Sequence, residues 1–224
     1  MNPLINDTFI APPCPREIEL VYEDEHLLVI NKPYGLLSLS GKNPVNKDSV
    51  HYRLLQQWPT ALLIHRLDFG TSGLLVIALH KTIAADLNKQ FQERGVTKHY
   101  EAVLYGLVKD SEGTIDAAIA KDPEHFPKMK ICPEQGKKAQ TKFQVLQRDS
   151  VLNKTKVRFI PLTGRTHQLR IHSAQMGHPI LGCDIYGNSH SQLAADRLML
   201  HASELTFTHP ITGECLRFMR PSGF

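Results

Sequence analysis

An α+β fold built on a largely antiparallel sheet is what the order of segments predicts. Strand-like segments outnumber helix-like ones. They follow one another without the regular strand–helix–strand alternation of a parallel sheet. No Pro/Gly/Ser-rich linker interrupts the 224 residues, a length that suits one large domain or two small ones. One domain over residues 17–224 is therefore expected, behind an extended or flexible arm at 1–16 that carries four prolines.

The elements follow in order. Glu17–Tyr22 and Leu27–Asn31 read as two short strands around Glu23-Asp24-Glu25, and Pro33 and Gly35 then break the pattern. Gly41–Asp48 is polar, and Asp48 is placed to cap a helix running to about Trp58. Leu74–Leu79 is an unbroken apolar run after Gly73 and predicts a buried strand. Over Lys81–Arg94, Ile83, Ala84, Leu87 and Phe91 form one helical stripe, with Gly95 in the position of a C-terminal cap. Thr97–Val108 is β-rich, with Gly113–Ile119 as its expected partner. Asp122–Glu134, with three prolines, predicts a loop. Ala139–Gln147 and Lys154–Pro161 resemble a hairpin, since Val157 and Phe159 alternate with Lys156 and Arg158. A helix with a threonine cap is expected from about Thr166 to Gly177, and Leu198–Thr208 with Glu214–Met219 closes the chain as a second hairpin.

Composition narrows the function classes. Hydrophobic residues at 42% and charged residues at 21% suffice for an ordinary core. No apolar run approaches the ~18–20 residues of a membrane span, and the N-terminus has no basic-then-apolar leader. Cys14, Cys132, Cys183 and Cys215 lie far apart, which argues against a zinc site and a disulfide scaffold. A reducing, cytoplasmic setting is expected, with no membrane contact. A net charge of +4 permits a nucleic-acid partner without requiring one. Twelve histidines are scattered, and His167 and His172 are five apart rather than at ligand spacing, so no metal is expected.

Two stretches stand out chemically. In Ile64–Ala78, Arg66 and Asp68 sit two residues apart on a polar turn that leads straight into the apolar run. The plain reading is a surface ion pair contributing about 0–1 kcal/mol. The functional reading is a carboxylate on a loop with rigid backing, which a catalytic group needs. In Leu162–His172, two arginines and two histidines flank an apolar pair, and a turn at Thr163-Gly164 before a helix would put Arg165 at an anion-friendly helix start. Lys32, on its turn, reads either as a phosphate contact or as a solvated lysine, and Tyr100 as a packed strand residue or an aromatic platform for a base.

These residues carry a resemblance. Asn31-Lys32-Pro33-x-Gly35-Leu36, His65-Arg66-Leu67-Asp68-x-x-Thr71-Ser72-Gly73-Leu74, Lys98-x-Tyr100, Leu162-Thr163-Gly164-Arg165-Thr166-His167-Gln168-Leu169-Arg170-x-His172 and Gly177-His178-Pro179-Ile180-Leu181-Gly182 resemble the RluA family of pseudouridine synthases from about Glu17 to Phe224. The second and fourth motifs are long and specific. With about 16 residues ahead of the matched part, the likeness is to the short type without an S4 RNA-binding domain. One local departure is Cys183-Asp184 after Gly182, where such sequences often have Asp directly; it is not expected to touch the chemistry.

The resemblance implies a mixed domain around a mostly antiparallel bent sheet, flanked by helices and loops, with a central cleft. It implies isomerisation of uridine to pseudouridine in structured RNA, in 23S ribosomal RNA, the transfer-RNA anticodon stem-loop or both, with no metal or organic cofactor. The enzyme is expected to act as a monomer. The reaction breaks N1–C1′, turns the uracil and rejoins it through C5. One ionised Asp beside the ribose serves it, either by attack at C1′ or by removing the 2′ proton, and by family match that is Asp68. Arg165 matches the arginine that pairs with this Asp, with a plain phosphate contact as its other reading. The target base must leave its stack. Arg66 then fills the vacated space or holds phosphate, Tyr100 stacks on the flipped uracil and helps remove the C5 proton, and Ile171 closes the ring's other side unless it is ordinary core. Lys32, Arg170 and Lys128 are candidate contacts to the RNA backbone, and His65, His167 and His172 are read as hydrogen-bonding supports. Two rivals remain: an RNA-binding or RNA-folding factor that does no chemistry, and a glycosidic hydrolase. The hydrolase needs a second placed carboxylate; Asp184 is a possible partner, which the family resemblance does not support.

Overall fold

Leu27–Lys32 and Ser72–Ala78 are apolar enough to be covered on both faces, and the structure pairs them antiparallel. It is a computed structural model that describes residues 9–224. The chain divides into two compact units, the first ending at Lys89 and the second running from Gln90 to Phe224. The division falls within a helix rather than a linker.

In the first unit, β1 (Glu19–Glu23) and β2 (Leu27–Lys32) form the expected hairpin. Asp24 holds the turn, its Oδ1 accepting from the amides of His26 and Leu27 at 2.8 Å. The polar stretch after it contains a short 3-10 turn at Pro44–Lys47. Helix α1 (Val50–Leu54) is capped by Ser49, whose Oγ accepts from the Tyr52 amide at 3.1 Å, and not by Asp48. Asp48 instead takes the Arg53 guanidinium on both oxygens, at 2.7 and 2.6 Å, and α1 ends well short of Trp58. A two-residue strand, β3 (Leu62–Leu63), and β2 both pair with β4 (Ser72–Ala78), all seven residues of which are buried. Of the arm at 1–16, residues 1–8 lie outside the described residues. Residues 9–16 are hydrogen-bonded to this unit: Asn46 bonds the Ala11 amide and the Phe9 carbonyl, and Arg53 bonds the carbonyls of Cys14 and Arg16.

Helix α2 (Lys81–Gln92) buries Ile83, Ala84 and Leu87, as the stripe predicts. Its left-handed terminal residue is Arg94 (φ 62°), one position before the glycine expected there. Gly95 supplies the amide that returns to the Gln90 carbonyl at 2.8 Å, a bond any residue can make.

The second unit carries the larger run of strands: β5 (Thr97–Tyr105), β6 (Glu112–Asp116), β7 (Ile119–Lys121), β8 (Met129–Ile131), β9 (Gln140–Asp149) and β10 (Lys154–Pro161). Helices α3 (Gln168–Gln175) and α4 (Ser189–Leu193) precede β11 (Leu200–Thr208) and β12 (Cys215–Met219). The order across its sheet is β12-β11-β5-β10-β9-β6, antiparallel throughout. The two predicted hairpins, β9–β10 and β11–β12, are present. The predicted partner of β5 is not: β6 pairs with β9 and β7 with β8. The segment expected to be a loop at 122–134 thus supplies β8 and closes a small separate hairpin. Helix α4 had no signal beyond Asn188, whose side chain caps it by accepting from the Ser191 amide at 2.8 Å.

Ala102, Leu104, Val157, Phe159, Leu169, Ile180, Leu198 and Leu200 form the main core of this unit. The backbone closes tightly on it at Gly182, where φ is +71° and a Cβ would lie 1.9 Å from the Arg197 carbonyl oxygen, so only glycine fits. A satellite cluster of Ile119, Ala139 and Ile171 underlies the β7–β8 hairpin. Among the described residues no helix is long and apolar enough to cross a membrane.

Candidate active site

In the first unit the loop before β4 carries Arg66 and Asp68. Its main chain is anchored from inside. Leu67 is buried, and the buried Ser38 hydroxyl both donates to the Leu67 carbonyl (2.7 Å) and accepts from its amide (3.1 Å). The Thr71 amide closes the turn on the Asp68 carbonyl at 3.0 Å, and the Gly35 amide donates to the Phe69 carbonyl at 2.9 Å. His65 accepts from the Val76 amide through Nε2 at 3.3 Å, tying the loop to β4.

Lys32 does most to hold this loop, and it corrects an expectation. It is fully buried, so it is not a contact to the RNA backbone. Its ammonium donates to the carbonyls of Pro33 (2.9 Å), Thr71 (2.8 Å) and Phe69 (3.4 Å). A buried ammonium costs several kcal/mol unless its three donors are met. Here carbonyls from both sides of the turn meet them, so the cation locks Phe69 to Thr71 against β2. Asp68 is thereby half-buried on a fixed loop, while Arg66 beside it is exposed and makes no hydrogen bond or ion pair among the described residues.

In the second unit Tyr100 lies half-buried on β5, between Phe159 of β10 and Ala202 of β11. Arg165 is exposed on the turn before α3. Its Nε donates to the Lys138 carbonyl at 3.1 Å, and its amide donates to the Gln168 side chain at 3.0 Å. Gln168 also takes the Thr163 hydroxyl and bonds β9. The start of α3 is therefore organised by Gln168 reaching back, and no threonine caps it. His167 occupies the cap position in the left-handed conformation (φ 56°), with its Nδ1 2.9 Å from the Tyr186 hydroxyl.

Two further expectations are corrected on α3. Arg170 is 5% exposed; it pairs with Asp184 and lies over the Tyr186 ring at 5.7 Å, so its guanidinium is internal rather than offered to a backbone. Ile171 is 6% exposed and packs against Ile119 and Ala139, the core reading of the two weighed for it. Lys128 and Lys130 are exposed on the β7–β8 hairpin. Ser38, Gln168 and the buried role of Lys32 carry no sequence signal, because each depends on partners far along the chain. Among the described residues no group of three His, Cys, Asp or Glu is placed to hold a metal.

His172 is buried on α3, its ring nitrogens against Thr141 Oγ1 (2.9 Å) and the Ala117 carbonyl (3.0 Å). Burial lowers its pKa, against the pull of that carbonyl and of Asp116. Burial lowers His201 as well, with Arg197 and Lys156 adding to it and the Arg220 carbonyl opposing. Below about pH 6.5 the unfolded chain takes up protons that these folded imidazoles refuse. The melting temperature is therefore expected to be level above neutrality and to fall as pH drops from about 6.5. His172→Gln flattens that slope. A wild-type melting temperature constant between pH 7.5 and 5.5 would contradict this assignment.

The sequence over residues 26–175 matches the RNA pseudouridylate synthase family. The chain belongs to this family. It is an isomerase that converts uridine to pseudouridine in RNA. The chain is 46% identical over 199 residues to the dual-specificity RNA pseudouridine synthase RluA of Yersinia pestis, covering 89% of this chain and 96% of that one. It is 42% identical over 213 residues to the RluA of Escherichia coli, covering 95% and 97%. Among solved structures, human RNA pseudouridylate synthase domain containing 1 superposes with a TM-score of 0.77 at 33% identity, over 94% of this chain and 85% of that one. Human RNA pseudouridylate synthase domain containing 4 gives 0.71 at 27% identity, over 91% and 88%. The pseudouridine synthase fold, mixed α+β and mostly sheet, is the class that the order of segments predicts.

Proposed function

We propose that this pseudouridine synthase acts on a uridine in a stem-loop of ribosomal RNA, transfer RNA or both, with Asp68 as the group that reacts at the ribose. The observation that supports Asp68 is the buried Lys32 ammonium, which fixes the carbonyls of Phe69 and Thr71 just after it and so presents one carboxylate on a held turn. A binding protein has no need to hold a carboxylate rigidly toward an anionic ligand. The RluA relatives are named dual-specificity enzymes, which supports two classes of target RNA.

In this reading the flipped uridine brings C1′ to Asp68. Arg66, exposed and without a partner among the described residues, takes the space the base leaves or holds a phosphate. Tyr100 stacks on the uracil and assists loss of the C5 proton, Arg165 supplies positive charge beside the anionic groups, and Lys128 and Lys130 meet the RNA backbone. The enzyme works as a monomer in the cytoplasm.

The test is pseudouridine mapping by carbodiimide-dependent primer extension on ribosomal and transfer RNA from cells lacking the protein. The same RNA is then treated with wild type or Asp68→Asn. A site absent in the deletion, restored by wild type and not by the variant, is the expected result and names the target. Restoration by Asp68→Asn would remove Asp68 from the chemistry. No missing site, with RNA binding retained, would point to a binder.

A further inference from the structure

Lys98 is the second residue of β5, two before Tyr100. Because side chains alternate along a strand, the two lie on one face, which continues through Ala102 and Leu104 into the core. The extra residue that interrupts pairing with β11 is Ser203, on the other strand, so β5 itself keeps its alternation. Lys98 is thus a cation at the rim of the face that carries Tyr100.

Its surroundings are unusual for a lysine. The ammonium lies 5.4 Å from the Phe91 ring centroid and, among the described residues, meets neither a carboxylate nor a hydrogen-bond acceptor. Across from it is Gly164, on the turn that presents Arg165. A Cβ built there would come 4.0 Å from Nζ and touch nothing else. The ammonium therefore lies against the turn whose next residue is the exposed Arg165. Burial alone lowers the Lys98 pKa, with no nearby charge opposing it. A desolvated cation without a counter-charge is unfavourable for the free protein, and such groups mark sites where a ligand supplies the missing charge.

We propose that Lys98 binds a phosphate of the RNA next to the target uridine, beside the turn that carries Gly164 and Arg165. This rests on the isomerase reading above and adds a contact to it. Lysine suits the role because its compact ammonium acts as a point charge toward phosphate oxygens, whereas a neutral uracil carbonyl would leave the cation uncompensated.

The experiment measures affinity for an anticodon stem-loop RNA by fluorescence anisotropy across a potassium chloride series. All proteins carry Asp68→Asn, so turnover does not perturb the titration. Lys98→Met is expected to weaken binding about tenfold at low salt and to reduce the slope of log Kd against log salt by about one. Lys98→Arg should restore the slope. Replacing a desolvated charge with an apolar chain of similar length keeps the fold, and Lys98→Gln gives the same comparison through a polar chain. A slope equal to that of the parent protein in both neutral variants would overturn the proposal, even if affinity changed, because a base contact releases no counterion. Conversion of the same RNA by the wild-type enzyme is read separately. Its failure would count against the target RNA proposed above and leaves the meaning of the slope intact.

Discussion

Asp68→Asn is expected to lower single-turnover pseudouridine formation by about 10⁴-fold or more, the scale seen when a nucleophile is removed, while RNA affinity stays within a few-fold of wild type. The size follows from the chemistry: an amide neither attacks C1′ nor accepts the 2′ proton, so both routes stop together. Retained binding follows from the structure. The turn is held by main-chain bonds, from the Thr71 amide to the Asp68 carbonyl and from Ser38 to both sides of Leu67, and none of these uses the carboxylate. Rapid-quench measurement with saturating enzyme separates the two quantities. A loss of less than tenfold would mean that another group carries the reaction.

Lys32→Met should cost about 3–5 kcal/mol of stability, the range for removing one partner of a buried charged network, and lower the melting temperature by about 10–15 °C for a chain of this size. The methionine fills most of the volume, but the carbonyls of Pro33, Phe69 and Thr71 lose their donor. They must then turn toward water or stay unpaired, and either outcome moves the turn that carries Asp68. The variant is therefore expected to lose kcat well beyond its loss of RNA affinity. Thermal melts and single-turnover rates below the new melting point test this. An unchanged melting temperature would show that the three carbonyls find other donors.

What could be read from the sequence was local or long-patterned. The β9–β10 hairpin followed from the alternation of Val157 and Phe159 with charged neighbours, and the end of α3 from Gly177, which takes φ 81°. The stretch around Asp68 was legible because polar turn and apolar strand adjoin. Pairing across distance was not legible. β6 chooses β9 over β5, and nothing in residues 112–116 encodes that choice. The β7–β8 hairpin was hidden by three prolines, since proline marks a break without saying what resumes after it. Lys32 and Arg170 read as surface cations from the sequence because burial of a cation depends on acceptors brought from elsewhere. Those are the carbonyls of Phe69 and Thr71 for Lys32 and the Asp184 carboxylate for Arg170. The caps erred by one residue for a related reason: Ser49 and Arg94 win over Asp48 and Gly95 through backbone geometry that composition does not record.

The Lys32 ammonium sits where dissolved ions do not reach, whereas Arg66, Lys128 and Lys130 face solvent. Mobile ions screen exposed charges over about 10 Å at 0.1 M and buried ones far less. Raising ionic strength therefore separates two functions that positive charge serves in one chain. KM for RNA should climb steeply with added salt while kcat at saturation holds nearly level, because the cation that shapes the reacting turn is electrically insulated from the medium that weakens the others.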